Sequence, residues 1–90
     1  MKKVITEFIG TFFLVMGAAL FGGIGAALAL MVMVYAGGHI SGAHYNPAVA
    51  IGLIIQKSFC WSQIWIYLVG AFAGAGLAAL IFNMNNPDDK

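Results

Sequence analysis

Ninety residues are enough for one small domain and too few for two soluble cores. Hydrophobic residues make up 62% of the chain and charged residues 8%, against roughly 25% charged in a typical globular domain. A soluble chain of this size has no interior able to hide that much apolar surface. The composition excludes a soluble domain, and a formal net charge of +1 without a basic run excludes a nucleic-acid binder. The lone Cys60 excludes an intrachain disulfide and makes no metal site by itself, so it reads as a small buried hydrophobe.

In chain order, the first element opens with MKKVITEFIGTFFLVMGAALFGG. Its basic start and apolar centre are like a cleaved signal peptide, but the apolar run from Phe8 to Ala36 far exceeds the roughly 7–15 residues of an h-region. As a single helix, residues 4–36 would overshoot the hydrocarbon core of a bilayer. Gly22-Gly23 is the place to break it, which predicts a first span over 4–21 and a second over 24–38. The last span is predicted over 61–82, WSQIWIYLVGAFAGAGLAALIF. Trp61, Trp65 and Tyr67 load its first half as interface anchors. Gly70 and Gly74 stand in GxxxG spacing beside an Ala71/Ala75/Ala79 stripe, the pattern that lets helices approach closely in lipid. Residues 83–90 read as a solvated tail.

Residues 39–60 do not fit this scheme. GGHISGAHYNPAVA places His39, Ser41, His44, Tyr45 and Asn46 together and follows them with Pro47. The apolar PAVAIGLII after that reaches only about 13 Å as a helix, half a membrane. Asn-Pro is a natural helix start, because the residue before Pro is driven out of the α region and Pro at the first position loses no needed hydrogen bond. Asn46 then serves as N-cap. The predicted element is a re-entrant loop and half-helix over 39–55, whose N-terminus brings a positive dipole end to the midplane. Irregular backbone is tolerated at that depth where protein buries it or water lines it. An interfacial loop followed by an amphipathic turn is the other reading of the same residues. The fold class is all-α membrane protein, with three transmembrane helices plus one re-entrant half-helix, in a single domain over 1–90.

With these residues in view, SGAHYNPAV resembles the first half of the aquaporin and aquaglyceroporin family, the major intrinsic proteins. Asn46-Pro47-Ala48 matches the NPA box, Ser41-Gly42-Ala43-His44 the segment leading into it, and Glu7-Phe8-Ile9-Gly10-Thr11 the ExxGT pattern of the first helix. The resemblance implies a pore centred on two NPA half-helices that meet head to head. Asn46 would donate its side-chain amide to the permeant, and the carbonyls of Gly42, Ala43 and His44 would form a ladder of acceptors. The dipole ends would repel cations. Glu7 would brace the pore loop through backbone hydrogen bonds; as a bare residue it reads equally as a carboxylate satisfied by the helix dipole and interfacial water. Tyr45 reads as packing, with a hydroxyl able to reach the interface.

The departures from the family pattern concern selectivity. Family members normally carry two inverted halves, and one is present in this sequence. Ala26 stands where the second helix often has a bulky aromatic at the constriction, Tyr67 where the third usually has Gln, and no Arg occurs. His39 and His44 have no Asp or Cys beside them and read as loop hydrogen-bonders rather than metal ligands; no cofactor is expected. Nor does any nucleophile–base set or carboxylate pair suggest an enzyme. The leading reading is a half-channel for water or small neutral solutes such as glycerol. It would pair in the bilayer with a second half, an inverted copy or a separate chain, within a higher oligomer. The other reading is a non-conducting membrane remnant or fragment with a structural role. The expected location is the inner or plasma membrane. Lys2, Lys3 and Lys57 on one side against Lys90 on the other place the N-terminus in the cytoplasm.

Overall fold

The computed structural model describes residues 1–56 and 61–86. The expectations for Lys57, Cys60 and residues 87–90 lie outside the described residues. The chain forms α1 (Lys2–Ser41), α2 (Pro47–Ile55), a 3₁₀ turn at Trp61–Gln63 and α3 (Ile64–Asn85), with no strand among the described residues. The fold is all-α.

α1 is one element only by its hydrogen-bond ladder. Gly22 breaks it with φ 69° and ψ −150°, a combination open to glycine and strained for any residue with a Cβ. A straight helix of 40 residues would run about 60 Å, beyond the 43 Å longest dimension of the molecule. The chain instead folds back on itself. Gly17 on the first arm (2–21) faces Gly25 on the second (23–41), backbone against backbone, and further along Gly37 faces the Thr6 side chain. The two arms therefore form an antiparallel hairpin.

The second arm runs to Ser41, three residues past the expected end at 38. Gly37-Gly38 does not stop the helix; Gly42 does, in the left-handed region (φ 90°), with its N–H donating to the Gly38 carbonyl. His39 and Ser41, expected in the loop, are helical, and the loop shrinks to 42–46. α2 begins at Pro47 with Asn46 as its N-cap. At the other end of the chain, α3 starts after the 3₁₀ turn and continues to Asn85, so residues 83–85 are helical and not tail.

α3 lies against the first arm of α1. A Cβ at Gly70 would sit 2.7 Å from Glu7 Cβ and 3.0 Å from the Val4 carbonyl oxygen; one at Gly74 would meet the Phe8 carbonyl oxygen. These two glycines bring the helix backbones into contact. The buried stripe of α3 is Tyr67, Gly70, Ala71, Gly74 and Ala78. The expected Ala71/Ala75/Ala79 stripe is corrected: Ala75 is half-buried and Ala79 exposed, because steps of four drift around a 3.6-residue helix. Tyr67, expected as an interface anchor, points inward at 3% exposure, whereas Trp61 and Trp65 are more than half exposed. Large apolar side chains such as Phe21, Ile24, Leu28, Tyr35 and Phe72 cover the outside. Surface of that kind is stable against lipid or other helices and unstable in water.

Candidate functional site

The site begins where α1 ends. Gly42 turns the chain out of the helix, and the next residues take unusual conformations: Ala43 and Tyr45 have φ of 57° and 51°, left-handed values without glycine's freedom. Backbone of this kind costs on the order of 1–3 kcal/mol per residue and persists where neighbours hold it. Here Glu7 does the holding. It is fully buried, and both of its carboxylate oxygens accept from the loop: Oε2 from the Ser41 hydroxyl (2.5 Å) and the His44 N–H (3.2 Å), Oε1 from the Tyr45 N–H (2.7 Å). Ser41 Oγ in turn accepts the Ala43 N–H at 3.2 Å. One carboxylate thus satisfies two backbone donors that an irregular, buried loop would otherwise leave orphaned.

Tyr45 fills the space between the hairpin arms. Its ring occupies the room that the missing side chain of Gly10 leaves, and its hydroxyl lies at Gly37 and donates to the Met33 carbonyl at 2.7 Å. It is 1% exposed. Tyr45 packs, as expected, and its hydroxyl is bonded inside the hairpin rather than at the interface.

Asn46 follows and is exposed. Its Oδ1 accepts the Ala48 N–H at 2.7 Å. Since only the oxygen can accept from an N–H, the capping bond turns the amide NH₂ away from the helix as a donor. Pro47 takes the first helical position and Ala48 carries the capped N–H. On the approach, no backbone N–H of the described residues donates to the carbonyls of Gly42 or Ala43. His44 is buried, with its ring stacked on Tyr67 at 4.0 Å between centroids and 17° between planes. Tyr67 also donates its hydroxyl to the Ser41 carbonyl at 2.6 Å.

A cleft of about 430 Å³ opens beside the loop, lined in part by Lys3, His39, Gly42, His44, Gln63 and Tyr67. Lys3 Nζ donates to Gln63 Oε1 at 3.2 Å, so the starts of α1 and α3 and the end of the second arm share one end of the molecule. His39 is exposed in the last turn of α1 and not in the loop. No cluster of three metal-ligating side chains exists among the described residues.

Glu7, Gly42, Ala43, His44, Asn46, Pro47 and Ala48 thus meet at one place, with Gly70 and Gly74 seating the helix that backs them. Ala26 is not with them: it lies on the second arm, about 22 Å along the helix from Ser41. Tyr67 is the residue that sequence reasoning missed. It was read as an interface anchor and as a departure from a family pattern, although its spacing ahead of Gly70 and Gly74 put it on the face that meets α1.

The major intrinsic protein family model matches residues 16–84. The chain belongs to the major intrinsic protein family. It is 41% identical over 93 residues to aquaporin NIP1-1 of Oryza sativa subsp. japonica, covering 87% of this chain and 33% of that protein. It is 40% identical over 93 residues to aquaporin NIP1-1 of Zea mays, with the same coverage, and 38% identical over 96 residues to aquaporin NIP2-1 of Oryza sativa subsp. japonica, covering 90% and 32%. The chain spans about a third of the length of these aquaporins. No solved structure matches. Family membership and the apolar α1 and α3 make this an integral membrane segment.

Proposed function

We propose that this chain supplies the first NPA-bearing half of a channel for water or small neutral solutes such as glycerol. A second NPA half in the same bilayer would complete the pore, whether from an inverted copy or from other chain. One observation carries the reading: Asn46 caps α2 through its oxygen and so presents its NH₂ at the loop's exposed tip. Depth supports it as well. Tyr45, the preceding residue, packs on Gly10, near the middle of the first arm, so Asn46 and the positive end of α2 lie near the membrane midplane. There the amide donates to a passing hydroxyl, the Gly42 and Ala43 carbonyls accept from it, and the dipole disfavours cations. Ala26, toward the hairpin turn, leaves the far constriction wide enough for glycerol.

Lys2 and Lys3 at the shared end of α1 and α3 favour a cytoplasmic N-terminus. Osmotic shrinkage of vesicles carrying the inserted chain together with a second NPA half tests the proposal. The expected result is shrinkage faster than in empty vesicles, loss of the excess on Asn46→Ala, and passage of glycerol in the same preparation. Shrinkage no faster than empty vesicles, with insertion demonstrated, would favour a non-conducting membrane segment.

A further inference from the structure

We infer that Tyr67 is a positioning residue that clamps the NPA loop from α3, beside the Glu7 brace on α1, and thereby sets which solutes pass the near-side cleft. Three observations bear on it. The Tyr67 hydroxyl donates to the carbonyl of Ser41, the last residue of α1 and the hinge from which the loop departs. Its ring stacks on His44, two residues before Asn46. Both Tyr67 and His44 line the 430 Å³ cleft beside the loop, together with Ser41 and Gly42. Glu7 holds the loop by its N–H groups and the Ser41 hydroxyl; Tyr67 holds it by a carbonyl and an aromatic face. The two clamps sit on different helices, α1 and α3, and the glycine contacts at Gly70 and Gly74 fix the distance between those helices.

The geometry assigns separate parts to the hydroxyl and the ring. The hydroxyl satisfies a carbonyl at the helix end, where the last four lack helical partners. The ring keeps His44 flat against the cleft wall, so the imidazole does not swing into the passage. Loosening the hinge lets the loop carbonyls and the His44 ring move apart, and the larger solute gains more from that widening than water does. The clamp itself does not depend on conduction; its effect on solute choice rests on the pore reading above.

Tyr67→Phe removes the hydroxyl and leaves the ring on His44, so the fold is retained. The test is amide hydrogen exchange at His44 and Tyr45, whose N–H groups Glu7 holds. Losing one hydrogen bond of ordinary net strength raises the loop's open fraction, so exchange at both amides should speed up by roughly two- to tenfold. Trp65→Phe, on the same helix but exposed, should leave both rates unchanged. In vesicles that pass water and glycerol, Tyr67→Phe should also raise the ratio of glycerol to water flux. A change in exchange smaller than about twofold would overturn the clamp. Faster exchange with an unchanged flux ratio would overturn its part in solute choice. If the unaltered chain passes neither solute, the pore reading fails, and the exchange rates alone decide the clamp.

Discussion

Glu7 is the one charged residue between Lys3 and Lys57, and every bond it accepts goes to the segment 41–45. Three donors on two oxygens require a group that only accepts. Glu7→Gln keeps the size but turns an NH₂ toward at least one of those donors, leaving it unsatisfied in a buried site. The expected loss is about 1–3 kcal/mol for each orphaned donor, read as reduced resistance to unfolding in detergent micelles. Stability unchanged within about 0.5 kcal/mol would mean that the loop holds its left-handed residues without the carboxylate. This residue's role was legible in the sequence through resemblance alone; its bare chemistry left a helix-dipole reading equally open. Tyr67 was not legible even so, because a hydroxyl's partner depends on how two distant helices pack.

At the scale of elements, the glycines of α3 decide the packing. Gly74 has no room for a Cβ beside the Phe8 carbonyl, so Gly74→Val must push α3 off the first arm. Overpacking of this kind typically costs about 1–3 kcal/mol, and the same unfolding titration should show it. At Gly76, where nothing lies within 4 Å of a Cβ, Gly76→Val should show no such loss. Equal effects at the two positions would contradict the contact. Local signals in the sequence told where helices start more reliably than where they end. Gly22 was readable as a break because no bilayer spans the run it divides, and Asn46-Pro47 because Pro fixes its own φ and restricts its neighbour's. The end of the second arm was misplaced, since Gly37 looks like an exit but is kept inside the helix for room: its missing side chain admits the Tyr45 hydroxyl and Thr6. The 3₁₀ start of α3 and its extension to Asn85 carry no comparable mark in the sequence.

For the molecule as a whole, the hairpin, the loop and α3 agree on one topology. Lys3 meets Gln63 at one end, and Gly22 turns the chain at the other. The proposed orientation puts the lysine-bearing end in the cytoplasm, so a reporter fused after the last residue should read on the external face. Comparable signals on both faces would show dual insertion and favour an inverted pair of identical chains as the complete pore. Central to the account is the depth of Asn46: a buried, braced loop that carries the start of α2 to the middle of the membrane. Cysteine reactivity measures this most directly. In membrane-inserted protein, Asn46→Cys and Gln56→Cys, at opposite ends of α2 and both exposed, are treated with a bulky, charged, impermeant thiol reagent. The account predicts that position 56 reacts readily while position 46, about 15 Å deeper along the helix, reacts far more slowly; equal rates at the two positions would contradict it.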